Sequence, residues 1–240
     1  HPIYKWYDIQ KKLKLAKRIF FDNANNPYLS KNYLQQLDTL KNYDKALYRR
    51  YAKGEWGVDS ILSLIYPNWK VKNLPKFKKE DYDEIIAGVD FGYNNPSAVD
   101  IIGIKDKVIY ILKEIYKCEL TQEKLRNEII KVFIKYDIMD ISLYCDSAEP
   151  ARIQDFVEND IDAQPATKSV DDGINFLQQQ KVFVSDECIN TISEAKNYEW
   201  QKGKDGKPLD TPIKFEDHAM DSIRYAVYTH LKNRKLVGVA

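Results

Sequence analysis

The chain has 240 residues and a mass of 28.1 kDa, which is enough for one large domain, or one ordinary domain plus an appendage, around a real core. Hydrophobic residues make up 44% and charged residues 30%, a balance that excludes a disordered or fibrous chain. Lys and Arg number 37 against 36 Asp and Glu, so the formal net charge is +1; a supercharged surface is excluded and a local basic patch is not. The longest apolar runs, such as Val108–Leu112, are far too short for a bilayer, and mean hydropathy is −0.54. With no basic-then-apolar leader, neither anchor nor secretory signal is expected, and no membrane partner. Cys118, Cys145 and Cys188 stand in unrelated contexts and read as free, mostly buried thiols of a reducing compartment. The opening His1–Pro2 reads as a fragment or a processed product.

Residues 1–66 read as helical material without a sheet of its own. Tyr4–Phe21 is lysine-rich, Phe21–Pro27 is an Asn-rich turn, and Ser30 is placed to cap a helix carrying Tyr33, Leu34 and Leu37. Asp44–Tyr51 continues as helix, and the glycines of Lys53–Gly57 end it. Residues 67–80 hold two prolines and five lysines with little periodicity, which is the composition of an exposed basic linker. From residue 81 to 240 the pattern is that of a separate domain. Ile85–Asp90, Ala98–Ile104 and Val108–Ile115 read as strands, the last two joined by a tight turn at Lys105–Lys107. Thr121 is placed to cap a helix with Leu125, Ile129, Val132 and Phe133 on one face. Strands at Ile141–Cys145, Ile161–Pro165 and Val182–Val184 then alternate with helices at Pro150–Glu158, Asp171–Gln179 and Asp186–Trp200. A polar loop or hairpin over Gln201–Thr211 precedes a last helix, Asp217–Leu231. Three meandering strands followed by alternating helices and strands imply an α/β domain with a mixed sheet.

Asp90 ends the first buried strand, Asp146 follows the fourth, and Asp221 lies in the first turns of the last helix. A charge at the tip of a buried strand is costly unless paired. Two such tips can be neighbours in one sheet, and a helix crossing its end can deliver a third carboxylate. Converging carboxylates repel one another unless cations neutralise them. Hard divalent ions, Mg²⁺ or Mn²⁺, suit such oxygen ligands. Two of them about 3.5–4 Å apart activate a water and stabilise the leaving oxygen of a phosphodiester. On the last helix Asp217, His218 and Asp221 stand at i, i+1 and i+4, so Asp217 and His218 can each share a face with Asp221. Either can join the metal set; the plainer alternative is that Asp217 complements the positive helix end and His218 caps it.

Asp90–Phe91–Gly92 spells a kinase triplet, yet the chain lacks the catalytic and glycine-rich loops that go with it. No GxxxxGK[ST] motif is present, so no ATP hydrolysis is expected from these residues. Lys202, Lys204, Lys207 and Lys214 flank the glycine-containing stretch before the acidic helix. They suit a phosphate backbone as well as they suit an ordinary solvated loop.

Taken in order, GVDFGYNNPSA, YCDSAEP, ATKSVDDGI and NYEW…DHAMDSIRYA resemble the successive motifs of the C-terminal, RNase H-like nuclease domain of tailed-bacteriophage large terminase subunits, over roughly residues 84–232. FDNANNPYLSKNYLQQLD…YRRYAKGEWG resembles the tail of that family's packaging ATPase. The resemblance implies an RNase H-like mixed sheet flanked by helices, after a helical N-terminal appendage. It puts Asp90, Asp146 and Asp221 at the metal-binding catalytic positions, with His218 and Asp217 beside them, and implies two divalent cations. The implied activity is endonucleolytic cutting of concatemeric viral DNA, leaving 3′-hydroxyl and 5′-phosphate ends. Implied partners are double-stranded DNA, the terminase ATPase domain, the small terminase subunit and the portal. The implied place of action is the procapsid in the host cytoplasm, with no part in the mature virion. Two rival expectations are a docking module for DNA, motor or portal with little activity alone, and another RNase H-like nuclease such as a junction resolvase.

Overall fold

Alternation along the central strands is apolar on both sides, the signature of a sheet covered on both faces. In β2 (Glu84–Asp90), Ile85, Ala87 and Val89 point into one core and Ile86 into the other. The computed structural model describes residues 28–43, 48, 52, 63–203 and 208–237. Two compact units are present, His1–Ser60 with Gln201–Lys207, and Ile61–Trp200 with Pro208–Ala240. In the first, α1 (Lys31–Tyr43) starts where the Tyr33 amide donates to Ser30 Oγ at 3.1 Å. The expected helices within 4–21 and 44–51, the 21–27 turn and the 53–57 helix end lie outside the described residues, apart from Tyr48, which is helical.

The second unit carries β1 (Lys70–Lys72), β2, β3 (Ser97–Lys105), β4 (Val108–Lys117), α2 (Gln122–Lys135), β5 (Leu143–Cys145), α3 (Pro150–Val157), β6 (Ala163–Pro165), α4 (Val170–Gln178), β7 (Lys181–Ser185) and α5 (Ile189–Asn197). The strands β8 (Trp200–Lys202) and β9 (Pro208–Pro212) come next, and α6 (His218–Val237) ends the series. Seven strands form a mixed sheet in the order β1-β7-β4-β3-β2-β5-β6. The meander β2-β3-β4 is antiparallel, while β5 pairs parallel with β2 and β6 parallel with β5. Asp106 and Lys107 close the β3–β4 turn with φ of 49° and 62°, both in the left-handed region that a two-residue hairpin of this hand requires. Leu125, Ile129 and Phe133 of α2 and Ile153 and Phe156 of α3 seal one face. Ile174 and Leu177 of α4, Ala195 of α5, and Ala219, Met220, Ile223, Ala226 and Val227 of α6 seal the other. Cys145 and Cys188 are buried free thiols and Cys118 an exposed one. Among the described residues no helix is long and apolar enough to cross a membrane.

Several boundaries differ from the reading of the sequence, among them the last helix, which runs to Val237 rather than Leu231, and three of the differences have a clear structural setting. The compact unit begins at Ile61 rather than 81: Ile65 and Tyr66 are buried in the core, and Lys70–Lys72 pair parallel with β7. A short edge strand that protects itself with lysine has the composition of a linker, which is why 67–80 reads as one. The long helix expected over Asp186–Trp200 is confined to Ile189–Asn197. Tyr198 is extended because its carbonyl accepts from the Ile65 amide at 2.9 Å, an interaction that continuing helix would forbid. The last helix begins at His218, with Asp217 just outside it, its carbonyl accepting from the Asp221 amide at 2.8 Å.

Candidate active site

Parallel pairing sets the first two carboxylates side by side. Val89 stands opposite Cys145, and the Asp146 amide donates to the Val89 carbonyl at 3.2 Å, so Asp90 and Asp146 leave adjacent strand ends. Strands of one sheet lie about 4.8 Å apart. The third carboxylate arrives on α6, which crosses the same strand at Gly88. A Cβ at Gly88 would stand 2.0 Å from the Ser222 carbonyl oxygen, so glycine there is what lets helix backbone lie on strand backbone. Asp221, one residue earlier on α6, is thereby brought to the end of β2.

Each carboxylate has a basic partner. His218 Nδ1 lies 2.9 Å from Asp90 Oδ2, Lys168 Nζ lies 2.6 Å from Asp146 Oδ1, and Arg224 donates to Asp221 Oδ1 at 2.6 Å. Burial pushes the Asp90 carboxyl up; His218 opposes this, while Asp221 and Asp146 add to it. Asp217 is pushed up to about 7 by burial and by Asp221, with His218 opposing and Asp90 adding. For His218, burial works against the imidazolium, but the hydrogen bond and charge of Asp90, with Glu194 and Asp217, carry it above the ordinary histidine value. Asp90, Asp146, Asp217, His218 and Asp221 therefore form one electrostatic cluster.

The donor set of carboxylate oxygens and one imidazole suits Mg²⁺ or Mn²⁺, and carboxylates that raise one another carry the negative charge a cation would offset. In the side-chain positions adopted here, with each acid turned to its own basic partner, no three His, Cys, Asp or Glu among the described residues are grouped to hold an ion. Of the lysines expected at DNA, Lys214 is exposed three residues before Asp217, and Lys202 ends β8 in the other compact unit. Lys204 and Lys207 lie outside the described residues.

Several supporting residues escape a reading of the sequence. Lys168 and Arg224 are two of them: nothing local marks Lys168 for Asp146, whereas Arg224 stands three residues after Asp221 on α6, a spacing that offers the pair. A third is Glu194 on α5, only 4% exposed. Its Oε2 accepts from the Ala219 and Met220 amides at 2.7 and 3.2 Å, and its Oε1 accepts from the Tyr116 hydroxyl at 2.6 Å. It thus anchors the first turn of α6, where free amides need an acceptor. Burial pushes its carboxyl up to about 8.

Asp100 on β3 lies beneath α6, fully buried, its Oδ1 accepting from the Thr191 hydroxyl at 2.9 Å. Burial pushes it up to about 8, a rise that the Ser222 and Thr191 hydroxyls only partly offset. A carboxyl raised in the folded protein is held neutral there, whereas in the unfolded chain it ionises near 4. Its contribution to stability is therefore complete below pH about 4 and is lost as pH rises towards about 8. Asp100→Asn is expected to flatten the fall of Tm between pH 5 and 8 in thermal melts. An unchanged slope would show that Asp100 ionises freely in the fold.

A sheet core of order β4-β3-β2-β5-β6, antiparallel through the meander and parallel beyond it, with acids at neighbouring strand ends and on a crossing helix, defines an RNase H-like domain. Residues 90–229 match the family model described as Terminase RNAseH like domain, and the chain belongs to that family. It is 29% identical over 222 residues to the PBSX phage terminase large subunit of Bacillus subtilis (strain 168), covering 85% of this chain and 48% of that one. It is 31% identical over 163 residues to a terminase large subunit of Escherichia phage T5, covering 64% and 37%. The chain thus spans about half or less of these two relatives' length. Among solved structures it resembles the nuclease domain of the g2p large terminase of bacteriophage SPP1, solved with bound Mn. The TM-score is 0.61 at 21% identity, covering 71% of this chain and 99% of that one. A large terminase nuclease from a thermophilic phage, solved with bound cobalt, matches at TM-score 0.54 and 14% identity, covering 71% and 97%. At such identities the likeness is one of fold.

Proposed function

We propose that this chain is a metal-dependent DNA endonuclease that cuts concatemeric viral DNA during genome packaging. The observation that carries the reading is the meeting of Asp90, Asp146 and Asp221 at one end of the sheet although 56 and 75 residues separate them in turn along the chain. Membership of the terminase family supports the substrate. The manganese and cobalt in the related nuclease structures support divalent ions.

In this reading Asp90, Asp146 and Asp221 would hold the divalent cations, with His218 and Asp217 beside them. Two such cations, when bound, ease deprotonation of a water and offset charge on the phosphodiester. Asp146 exchanges Lys168 for this task, while the enclosed Arg224 keeps Asp221 oriented. His218, on Asp90, holds that carboxylate in place and can take up a proton at its other ring nitrogen. Glu194 keeps the amides of the first α6 turn satisfied and so fixes His218 and Asp221 together. Duplex DNA is the substrate, with Lys202, Lys204, Lys207 and Lys214 along its backbone. The remaining partners are the packaging ATPase, small terminase subunit and portal, at the procapsid in the host cytoplasm.

The test is conversion of supercoiled plasmid to nicked and linear forms with Mn²⁺ or Mg²⁺, against EDTA. Cutting that depends on the divalent ion and leaves ligatable 5′-phosphate ends is the expected result. DNA binding without cutting at any divalent concentration would instead identify a docking module.

A further inference from the structure

Two cations touch the acid cluster among the described residues apart from His218, and burial separates their roles. Arg224 is 2% exposed. Its stem lies where a Cβ on Gly173 would meet Arg224 Cγ and Cδ at 2.6 and 2.7 Å, and its guanidinium donates to the Ser169 carbonyl as well as to Asp221. A cation so enclosed can orient Asp221 and cannot reach a molecule arriving from solvent. Lys168 differs: its side chain is 46% exposed while its ammonium sits on Asp146, itself 18% exposed.

The loop that carries Lys168 is tied down on both sides. The Ala166 amide donates to the Cys145 carbonyl at 2.8 Å, next to Asp146 itself. The Thr167 amide donates to Thr229 Oγ1 of α6 at 2.9 Å, and the Ser169 carbonyl accepts from Arg224 at 3.4 Å. Backbone is therefore held to β5 and α6, while the flexible stem leaves the ammonium free to change partner. A phosphodiester approaching several carboxylates meets repulsion, and an exposed cation at their rim offsets it.

We propose that Lys168 is a further catalytic residue of the nuclease, its ammonium moving from Asp146 to a non-bridging oxygen of the scissile phosphate when DNA and cations bind. The proposal rests on the nuclease reading above. No covalent bond changes at Lys168; one ion pair is exchanged for another. In the free protein the same ammonium competes with metal for Asp146, and this gives the two roles opposite signs.

Lys168→Met keeps the stem and removes the charge. Mn²⁺ binding without DNA, followed by the metal-induced rise in Tm, is expected to tighten by about two- to five-fold, the worth of a partly exposed ion pair. Single-turnover plasmid cutting at saturating Mn²⁺ is expected to fall by about a hundred-fold, the effect of losing one donor to a transition-state oxyanion. Unchanged cutting overturns the proposal. So does a loss of Mn²⁺ affinity that accounts for the lost cutting, since Lys168 would then only support the fold of the site. Lys168→Gln, melted without metal, reports whether folding alone is responsible; a matching loss of Tm and cutting in both variants also overturns it. A wild-type chain that cuts nothing refutes the nuclease reading itself, a different result from a wild type that cuts and a Lys168→Met that cuts equally well.

Discussion

Replacing Asp90 by Asn is expected to lower Mn²⁺-dependent plasmid cutting by at least about a hundred-fold while leaving the protein folded. The change is nearly isosteric, and it removes the charge of the acid that stands between the other two. Cation chemistry at a phosphodiester is worth several kcal/mol, and each 1.36 kcal/mol is about a factor of ten in rate. Burial already raises the Asp90 carboxyl, so a neutral amide costs the fold little. The hydrogen bond to His218 can persist through the amide oxygen. Tm in the absence of metal is therefore expected to stay level or rise, and the Tm gain on adding Mn²⁺ to shrink. Asp146→Asn and Asp221→Asn should lower cutting as well. Undiminished cutting in the Asp90 variant would remove the acid cluster from the mechanism and leave the fold without its proposed chemistry.

Gly88→Ala is expected to damage stability and activity together. The added methyl would lie 2.0 Å from the Ser222 carbonyl oxygen and 2.8 Å from its carbon, both backbone atoms that no side-chain rotation can clear. Helix α6 must lift from β2, with a cost in the range of about 1–3 kcal/mol for overpacking. For a domain of this size that corresponds to a fall in Tm of roughly 2–12 °C. Asp221 and His218 travel with the helix while Asp90 stays on the strand, so cutting should fall more than the loss of folded protein explains. Gly173→Ala is the useful contrast. Its added methyl meets Arg224 Cγ and Cδ, side-chain rather than backbone atoms, so α6 should stay on β2 while the strain falls on the buried Arg224–Asp221 pair. Equal melting curves for Gly88→Ala and the wild type would mean that helix and strand are not in backbone contact there.

The identity of the elements was legible because their signals are local. Short, largely apolar runs mark β2, β3 and β4, and helical spacing of Leu125, Ile129 and Phe133 marks α2, with Thr121 Oγ1 accepting from the Lys124 amide as its cap. Element ends were less legible wherever a distant segment intervenes. Tyr198 leaves helix because Ile65 pairs with it, and Lys70–Lys72 become a strand because β7 offers an edge. Neither fact is written within ten residues of the place it governs. The candidate acids stood out for the same local reason: Asp90 and Asp146 each follow an apolar run, where a charge is costly unless something compensates.

Local patterning along the chain was thus sufficient for the α/β class, for the two strand-end aspartates and for an acidic start to the last helix. Those features depend on residues a few positions apart, and burial or helical phase is readable over such distances. That Lys168 meets Asp146 was settled only by the folded molecule, whereas Arg224 follows Asp221 within one helical turn. Lys168 reaches Asp146 across the α3–β6 excursion, Glu194 reaches the α6 amides from another helix, and Gly88 admits α6 only because the two backbones happen to cross there. Such contacts follow from strand order, register and helix placement, and these are global solutions to burying two apolar faces at once.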